Sequence, residues 1–164
     1  MANCVILALL AGCSWFALMT GAHACRPDYE APYRGHCYKF VKSVTNWWNA
    51  FGSCRRDNAF LVSVETVGEQ RHLERYINAR PHLKYPGHHT SKGWGYWTSG
   101  SDQGNEGVWT WMSTGRLMTY KDFLPNEPNN ERGDEHCLDL VMDSWKWNDK
   151  ECYARISFIC ESKA

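Results

Sequence analysis

The chain has 164 residues, with 18 basic and 18 acidic side chains and a formal net charge of zero at pH 7. This balance argues against nucleic-acid binding and against a polybasic membrane-surface module, because both need an excess of positive charge. Aromatic residues make up 14% of the chain and charged residues only 22%, a composition that argues against disorder. The length is typical of one domain.

The first segment has the pattern of a cleaved secretory signal peptide. No charged side chain occurs from Cys4 to Met19, and the small-x-small sequence Ala22-His23-Ala24 is of the kind that signal peptidase accepts. A buried helix and a membrane anchor are the alternatives, but the apolar run is shorter than the roughly 20 residues that span hydrocarbon. We therefore expect residues 1–24 to be removed, residues 25–164 to form one domain, and the protein to be secreted without membrane insertion.

The first half of the predicted domain contains a strand and then a helix. Residues 37–41 alternate roughly between apolar and polar side chains, as a half-buried strand does. Apolar side chains recur at helical spacing from Trp47 to Cys54, behind Ser43 and Thr45 as start signals, and Asp57-Asn58 closes the segment. These patterns predict a first helix that packs against the core.

A second helix is predicted from a capping box. Thr66 and Glu69 have the spacing at which a hydroxyl and a carboxylate satisfy free amides at a helix start. Pro81 ends the helical pattern, and residues 82–93 are rich in Pro, Gly, His and Ser. We expect this last stretch to be a loop.

The rest of the chain has the pattern of short strands and loops. Between residues 122 and 136 few side chains are apolar, which predicts a long polar loop inserted in a sheet. Two helices followed by short strands predict an α+β domain. The predicted strands are 96–100, 108–112, 138–141, 145–147 and 156–160.

Six of the eight cysteines remain after removal of the leader: Cys25, Cys37, Cys54, Cys137, Cys152 and Cys160. An even number in a secreted chain predicts three disulfides, although six cysteines permit 15 pairings. No two of them have the Cys-x-x-Cys spacing that opens most structural zinc sites, so disulfides are favoured over zinc.

Acidic residues are concentrated in the polar loop and the strands after it. A solvated surface is the simple explanation, but carboxylates and amide oxygens held on turns are the ligands that calcium prefers. No EF-hand pattern occurs. Nine of the 18 acidic residues lie between 122 and 151, against three basic ones: Asp122, Glu127, Glu131, Asp134, Glu135, Asp139, Asp143, Asp149 and Glu151, with Arg132, Lys146 and Lys150.

Three motifs in this region, Glu127-Pro128-Asn129, Glu135-His136-Cys137 and Trp147-Asn148-Asp149, resemble the calcium-dependent sugar site of C-type lectins. The resemblance extends over nearly the whole predicted domain. It implies the C-type lectin-like fold, with two helices, short antiparallel strands, a long calcium-binding loop and disulfide staples. The pairing that it implies is Cys25–Cys37, Cys54–Cys160 and Cys137–Cys152.

The resemblance also implies roles for individual residues. One calcium ion and the sugar that completes its coordination would be bound by Glu127, Asn129, Glu135, Asn148 and Asp149, with Pro128 following a cis peptide bond. Glu before and Asn after the proline resembles mannose-type members, whereas galactose-type members carry Gln and Asp. The implied ligands are mannose, fucose, glucose and N-acetylglucosamine, on microbial or cell surfaces, in innate immunity or adhesion.

An auxiliary calcium site of the family is matched only in part. Asp102 and Glu106 have its spacing, and Glu135 can be shared with it. Asn130 and His136 stand where the best-equipped members have acids. The sequence leaves open whether the domain forms a homo-oligomer.

Two alternatives to sugar binding remain at this stage. A lectin-like domain can bind a protein or lipid partner without sugar. A secreted glycoside hydrolase would use two carboxylates, such as Glu127 and Glu135, as acid and base. The neighbouring asparagines suit a metal better, and neither a His-Glu-x-x-His nor a Gly-x-Ser-x-Gly motif occurs. We therefore expect a binding protein without catalytic residues.

Overall fold

The computed structural model describes residues 25–84 and 95–164, and the predicted signal peptide lies outside them. The predicted α+β architecture is confirmed. The helices are α1 (Trp47–Arg56), α2 (Val67–Asn78) and α3 (Pro81–Lys84), and the strands are β1 (Glu30–Tyr33), β2 (His36–Thr45), β3 (Phe60–Leu61), β4 (Gly95–Ser101), β5 (Thr110–Trp111), β6 (Arg116–Leu117), β7 (Glu135–Val141), β8 (Lys146–Glu151) and β9 (Ile156–Lys163).

The strands form one sheet in which the first and last strands of the described residues, β1 and β9, both pair with β2. Strand β9 pairs antiparallel with β2 and parallel with β4. It therefore joins the part of the sheet made of β1 and β2 to the part made of β4, β7 and β8, which carries the polar loop. On the far side, β4 pairs antiparallel with β7, and β7 pairs antiparallel with β8. The polar loop therefore enters and leaves the sheet beside β7 and β8.

Helix α1 forms where it is predicted, but its cap is Asn46, one residue after Thr45 and three after Ser43, the expected start signals. The side chain of Asn46 accepts a hydrogen bond from the backbone N–H of Asn49 at 2.9 Å, which satisfies one of the free amides of the first turn. Trp47 and Cys54 are buried against the sheet. Thr45, an expected start signal, is instead the last residue of β2.

Three disulfides hold the described residues together. Cys25–Cys37 ties the N-terminal segment to β2, Cys54–Cys160 ties α1 to β9, and Cys137–Cys152 joins β7 to the turn after β8. These are the pairings that the family resemblance implies. They pack with Trp47, Trp97 and Phe158 in one of two buried clusters.

The other buried cluster supports the polar loop. Trp147 on β8 is fully buried, and its ring makes edge-on contacts with Trp111, Tyr120 and Phe123 at centroid distances of 5.2–5.8 Å. Its indole N–H donates to the side chain of Gln70 on α2 at 2.7 Å. The tryptophan therefore packs in the core beneath the loop, and its neighbours Asn148 and Asp149 are held on a rigid strand.

Two predicted boundaries are wrong. The strand expected over 108–112 covers only Thr110–Trp111, because Val108 belongs to a turn in which its N–H donates to the carbonyl of Asn105. The second concerns the loop expected over 82–93, because its first residues, 82–84, belong to the short helix α3. This helix begins two residues after the end of α2. Residues 85–93 lie outside the described ranges. None of the described helices is long and apolar enough to cross a membrane.

The predicted hydroxyl cap of α2 is confirmed, but the buried carboxylate of Glu69 bonds to the residue before the cap rather than to the cap itself. The N–H of Glu69 donates to the hydroxyl of Thr66, and the carboxylate of Glu69 accepts from the N–H of Glu65 and from the hydroxyl of Tyr38 at 2.7 Å. Burial, reinforced by the nearby charge of Glu161, raises the pKa of Glu69 from 4.5 to about 7. The ionised form is therefore destabilised in the folded protein.

We expect Glu69→Gln to remove a pH-dependent loss of stability. Because the pKa of Glu69 is higher in the folded than in the unfolded state, its protonated form stabilises the fold fully below about pH 4.5, and this contribution is lost as the pH rises through 7. The free energy of unfolding of the variant relative to the wild type should therefore rise by about 3 kcal/mol between pH 4.5 and pH 8. Urea unfolding at the two pH values measures the change. The half-exposed neighbour Glu65, changed to Gln, is the control, and an equal shift in both variants would contradict the assignment.

Candidate metal centre

The polar loop is anchored on β8 before it reaches the predicted site. The backbone N–H of Trp147 donates to the carbonyl of Asp122, and the N–H of Leu124 donates to the carbonyl of Trp147. The loop therefore starts as an extension of the sheet. The Glu127–Pro128 peptide bond that follows is cis, as the resemblance implies.

Three of the predicted ligands converge. Glu127 from the loop, Glu135 at the start of β7 and Asp149 on β8 place one carboxylate oxygen each within 4.8 Å of one another. Glu135 and Asp149 are buried. Like charges so close and so poorly solvated repel one another, so this group, which we call the primary cluster, has the electrostatics of a cation site.

Hydrogen bonds from the loop backbone hold two of these carboxylates in place. The N–H groups of Asn129 and Asn130 donate to the two oxygens of Asp149 at 3.3 and 2.7 Å. The N–H of Glu131 donates to Glu135, whose own N–H donates to the side-chain oxygen of Asn130. Asn130 has φ = 43°, the left-handed conformation that asparagine tolerates better than most residues. The chain thereby turns around the primary cluster.

The two predicted amide ligands are close in sequence to members of the primary cluster. Asn148 precedes Asp149 on β8 and is fully buried, and its side-chain NH2 donates to Asp139 on the neighbouring strand at 3.1 Å. This bond fixes the orientation of the amide, because nitrogen and oxygen lie on opposite sides of the amide carbon. Asn129 is exposed at the rim, where its side chain is accessible from solvent.

The donor set fits calcium. Carboxylate oxygens from three residues and amide oxygens from two more are hard oxygen ligands, and calcium takes 6–8 of these. No cysteine thiolate competes, because the six cysteines of the described residues form disulfides. The residues that would hold calcium are those that the sequence predicts: Glu127, Asn129, Glu135, Asn148 and Asp149.

The two predicted auxiliary ligands also come together, but with an unexpected partner. Asp102 and Glu106 place carboxylate oxygens near the imidazole of His136, within 4.8 Å of one another. The side-chain NH2 of Asn130 donates to Glu106 at 2.7 Å. Glu135 belongs to the primary cluster. The other group has three ligating side chains without it, so Glu135 does not have to be shared between the two sites. We call Asp102, Glu106 and His136 the second cluster.

Comparisons with known proteins agree with this fold. Residues 43–162 match the family described as Lectin C-type domain. The chain belongs to the C-type lectin domain family. Domains of this family and fold bind ligands and are not enzymes, so the hydrolase alternative is excluded and the expectation of a non-catalytic binding protein is confirmed.

The relatives of this C-type lectin domain protein come from several animal groups. The C-type lectin mannose-binding isoform of Oxyuranus scutellatus is 30% identical over 163 residues, which are 97% of this chain and 96% of that protein. Salivary C-type lectin 2 of Aedes albopictus is 29% identical over 153 residues, 90% of this chain and 95% of that protein. The structure of the cow CD23 C-type carbohydrate-recognition domain, in the presence of a GlcNAc2Man3 oligosaccharide, is 26% identical with a TM-score of 0.71, covering 86% of this chain and 97% of that one.

Proposed function

We propose that this protein is a secreted lectin that binds mannose-type sugars through one calcium ion at the primary cluster. The observation that carries the proposal is the convergence of Glu127, Glu135 and Asp149 on a loop whose motif has the Glu-Pro-Asn order of mannose-type members. The predicted signal sequence and a salivary relative support secretion. A mannose-binding relative that matches nearly the full chain supports the sugar class.

The chemistry of the five ligands explains how a sugar can bind without a deep pocket. Bound calcium supplies coordination positions for two vicinal hydroxyl oxygens. Each hydroxyl can donate its proton to a carboxylate of Glu127 or Glu135 and accept from the NH2 of Asn129, or from the hydrogen of the Asn148 NH2 that is not bonded to Asp139. Every polar atom of the hydroxyl pair is then satisfied, which repays the loss of its hydration.

The decisive test is retention of the protein on mannose-agarose in calcium and then in EDTA. We expect retention in calcium, release by EDTA, and elution by free mannose at lower concentration than by free galactose. Retention that survives EDTA would contradict the role of the metal. If neither buffer gives retention and calorimetry detects no calcium binding, the domain has another partner, such as a protein or a lipid, and the proposal is wrong.

The double substitution Glu127→Gln with Asn129→Asp should shift the preference from mannose toward galactose. The change exchanges the hydrogen-bond acceptor and donor on the two sides of Pro128, so it reverses which hydroxyl geometry is satisfied, while the ligand oxygens are kept. Elution of the variant from mannose-agarose and galactose-agarose by each free sugar measures the shift. Glu131→Gln with Asn126→Asp, two exposed changes in the same loop, is the control pair. An unchanged preference in the first variant would place selectivity outside this motif.

Single-site contacts of this kind bury little surface, so we propose that the affinity for cell-surface glycans is raised by multivalent presentation. Glycans on microbes or on other cells present many copies of such sugars. A comparison of binding to monomeric mannose in calorimetry and to a mannose-coated surface measures the gain.

A further inference from the structure

The second cluster is created by strand pairing. Ser101 at the end of β4 pairs with Cys137 on β7, and the carbonyl of His136 accepts from the hydroxyl of Ser101 at 2.7 Å and from the N–H of Asp102. This register places the imidazole of His136 beside Asp102. The β7–β8 register shifts between Glu135 and Cys137, and at this irregularity Glu135 lies in the primary cluster while His136 lies in the second.

The distances in the second cluster are those of a long, shared ion pair or of ligand atoms around one metal ion. The Nδ1 atom of His136 lies 3.2 Å from Oδ1 of Asp102 and 3.3 Å from Oε2 of Glu106. Both distances exceed the roughly 2.7–2.9 Å of a strong charge-assisted N–H···O bond, and a single Nδ1–H reaches both oxygens only as a weaker three-centre bond. In tetrahedral zinc coordination, by contrast, bonds of about 2.0–2.1 Å separate neighbouring ligand atoms by about 3.3 Å.

Both carboxylates are oriented as metal ligands usually are. The other oxygen of Asp102, Oδ2, accepts from the N–H of Gly107 at 2.8 Å, and Gly107 has φ = 76°, a left-handed conformation that suits glycine. Oε2 of Glu106 accepts from the NH2 of Asn130 at 2.7 Å. Hydrogen bonds of this kind, made to the ligand side chains by their neighbours, fix the ligands of protein metal sites and tune the affinity.

We propose that Asp102, Glu106 and His136 form a site for zinc or a similar transition metal, in place of the auxiliary calcium that the resemblance implies. Calcium prefers oxygen ligands throughout, whereas zinc takes imidazole nitrogen together with carboxylate oxygen. The side chain of Asp102 is 1% exposed, that of His136 25% and that of Glu106 57%. The site is thus anchored in the protein and open to solvent on one side, which leaves a fourth position for water.

The test is zinc binding in excess calcium, measured by competition with a chromogenic zinc chelator. We expect one zinc ion to bind with calcium present, and His136→Gln to weaken its affinity at least about 100-fold, because a direct ligand contributes more than the neighbours whose loss costs about 10–100-fold. Cobalt(II) as a spectroscopic probe should give the intense visible absorption of a tetrahedral site in the wild type and lose it in the variant. Zinc binding that is unchanged in His136→Gln, or that excess calcium abolishes, would overturn the proposal.

Two controls exclude zinc binding by other histidines. His36 also faces a carboxylate, with its Nδ1 2.5 Å from Glu161, but a second carboxylate ligand is not grouped with it in the described residues; His36→Gln should keep the zinc site. The adjacent pair His88 and His89 is tested by a double change to Gln, and loss of zinc there would contradict the assignment. Glu127→Gln, in the primary cluster, should weaken calcium binding and leave zinc binding intact, so a failure of the lectin proposal is distinguishable from a failure of this one.

Discussion

Glu135→Gln is expected to weaken calcium binding at least about 100-fold and to abolish calcium-dependent retention on mannose-agarose. Glu135 is buried in the primary cluster with Glu127 and Asp149, and calcium affinity depends strongly on the number of charged ligands. The substitution keeps the size of the side chain and an oxygen that can accept from the N–H of Glu131. Isothermal titration calorimetry of calcium measures the loss.

The cross-strand neighbour of this residue provides a matched control. Glu151 on β8 lies opposite Glu135 in the strand register but is exposed, so Glu151→Gln removes the same charge near the site without removing a ligand. We expect wild-type calcium affinity in this variant. In EDTA, Glu135→Gln should unfold at the wild-type temperature or above it, because it removes one of three mutually repelling carboxylates. A lowered melting temperature in EDTA would show that Glu135 acts by supporting the fold.

Removal of the Cys54–Cys160 disulfide is expected to destabilise the domain by about 4–5 kcal/mol. This bond joins residues 106 positions apart in sequence, so it restricts the unfolded chain far more than a short-range bond does. Both cysteines are buried, and alanine at each position avoids leaving a buried hydroxyl. Urea unfolding of Cys54→Ala with Cys160→Ala, under conditions that keep the other two disulfides, measures the loss.

The Cys25–Cys37 bond serves as the comparison. Its cysteines are 12 positions apart, and removal by Cys25→Ala with Cys37→Ala should cost about 3 kcal/mol. Both double variants remove one buried or half-buried cystine. The difference between their free energies of unfolding therefore reports mainly on the length of the loop that each disulfide closes. An equal or larger loss in the Cys25–Cys37 variant would show that native-state packing, and not chain entropy, dominates.

Features of the fold and of the site that depend on residues close together in the chain were predictable from the sequence. The capping box of Thr66 and Glu69 is local, since a helix start satisfies its free amides with side chains three residues apart. The Glu127-Pro128-Asn129 and Asn148-Asp149 motifs are equally local, and the fold and the disulfide pairing followed from the family that they resemble. The cap of α1 was predicted at the wrong residue because Ser, Thr and Asn all suit that position. Strand β2 continues to Thr45, so Asn46 is the first of these residues that is free to cap the helix.

The sequence by itself therefore determined the fold family, the disulfide number and the five candidate calcium ligands, because each is carried by residue types at short or characteristic spacings. Only the tertiary structure decided that His136 joins Asp102 and Glu106. These residues are about 30 positions apart in sequence, and nothing local specifies the β4–β7 register that brings them together. The register of β7 with β8 shifts between Glu135 and Cys137, and these two adjacent residues, Glu135 and His136, lie in different clusters. Strand pairing depends on packing of the whole sheet, so the sequence alone did not predict this division.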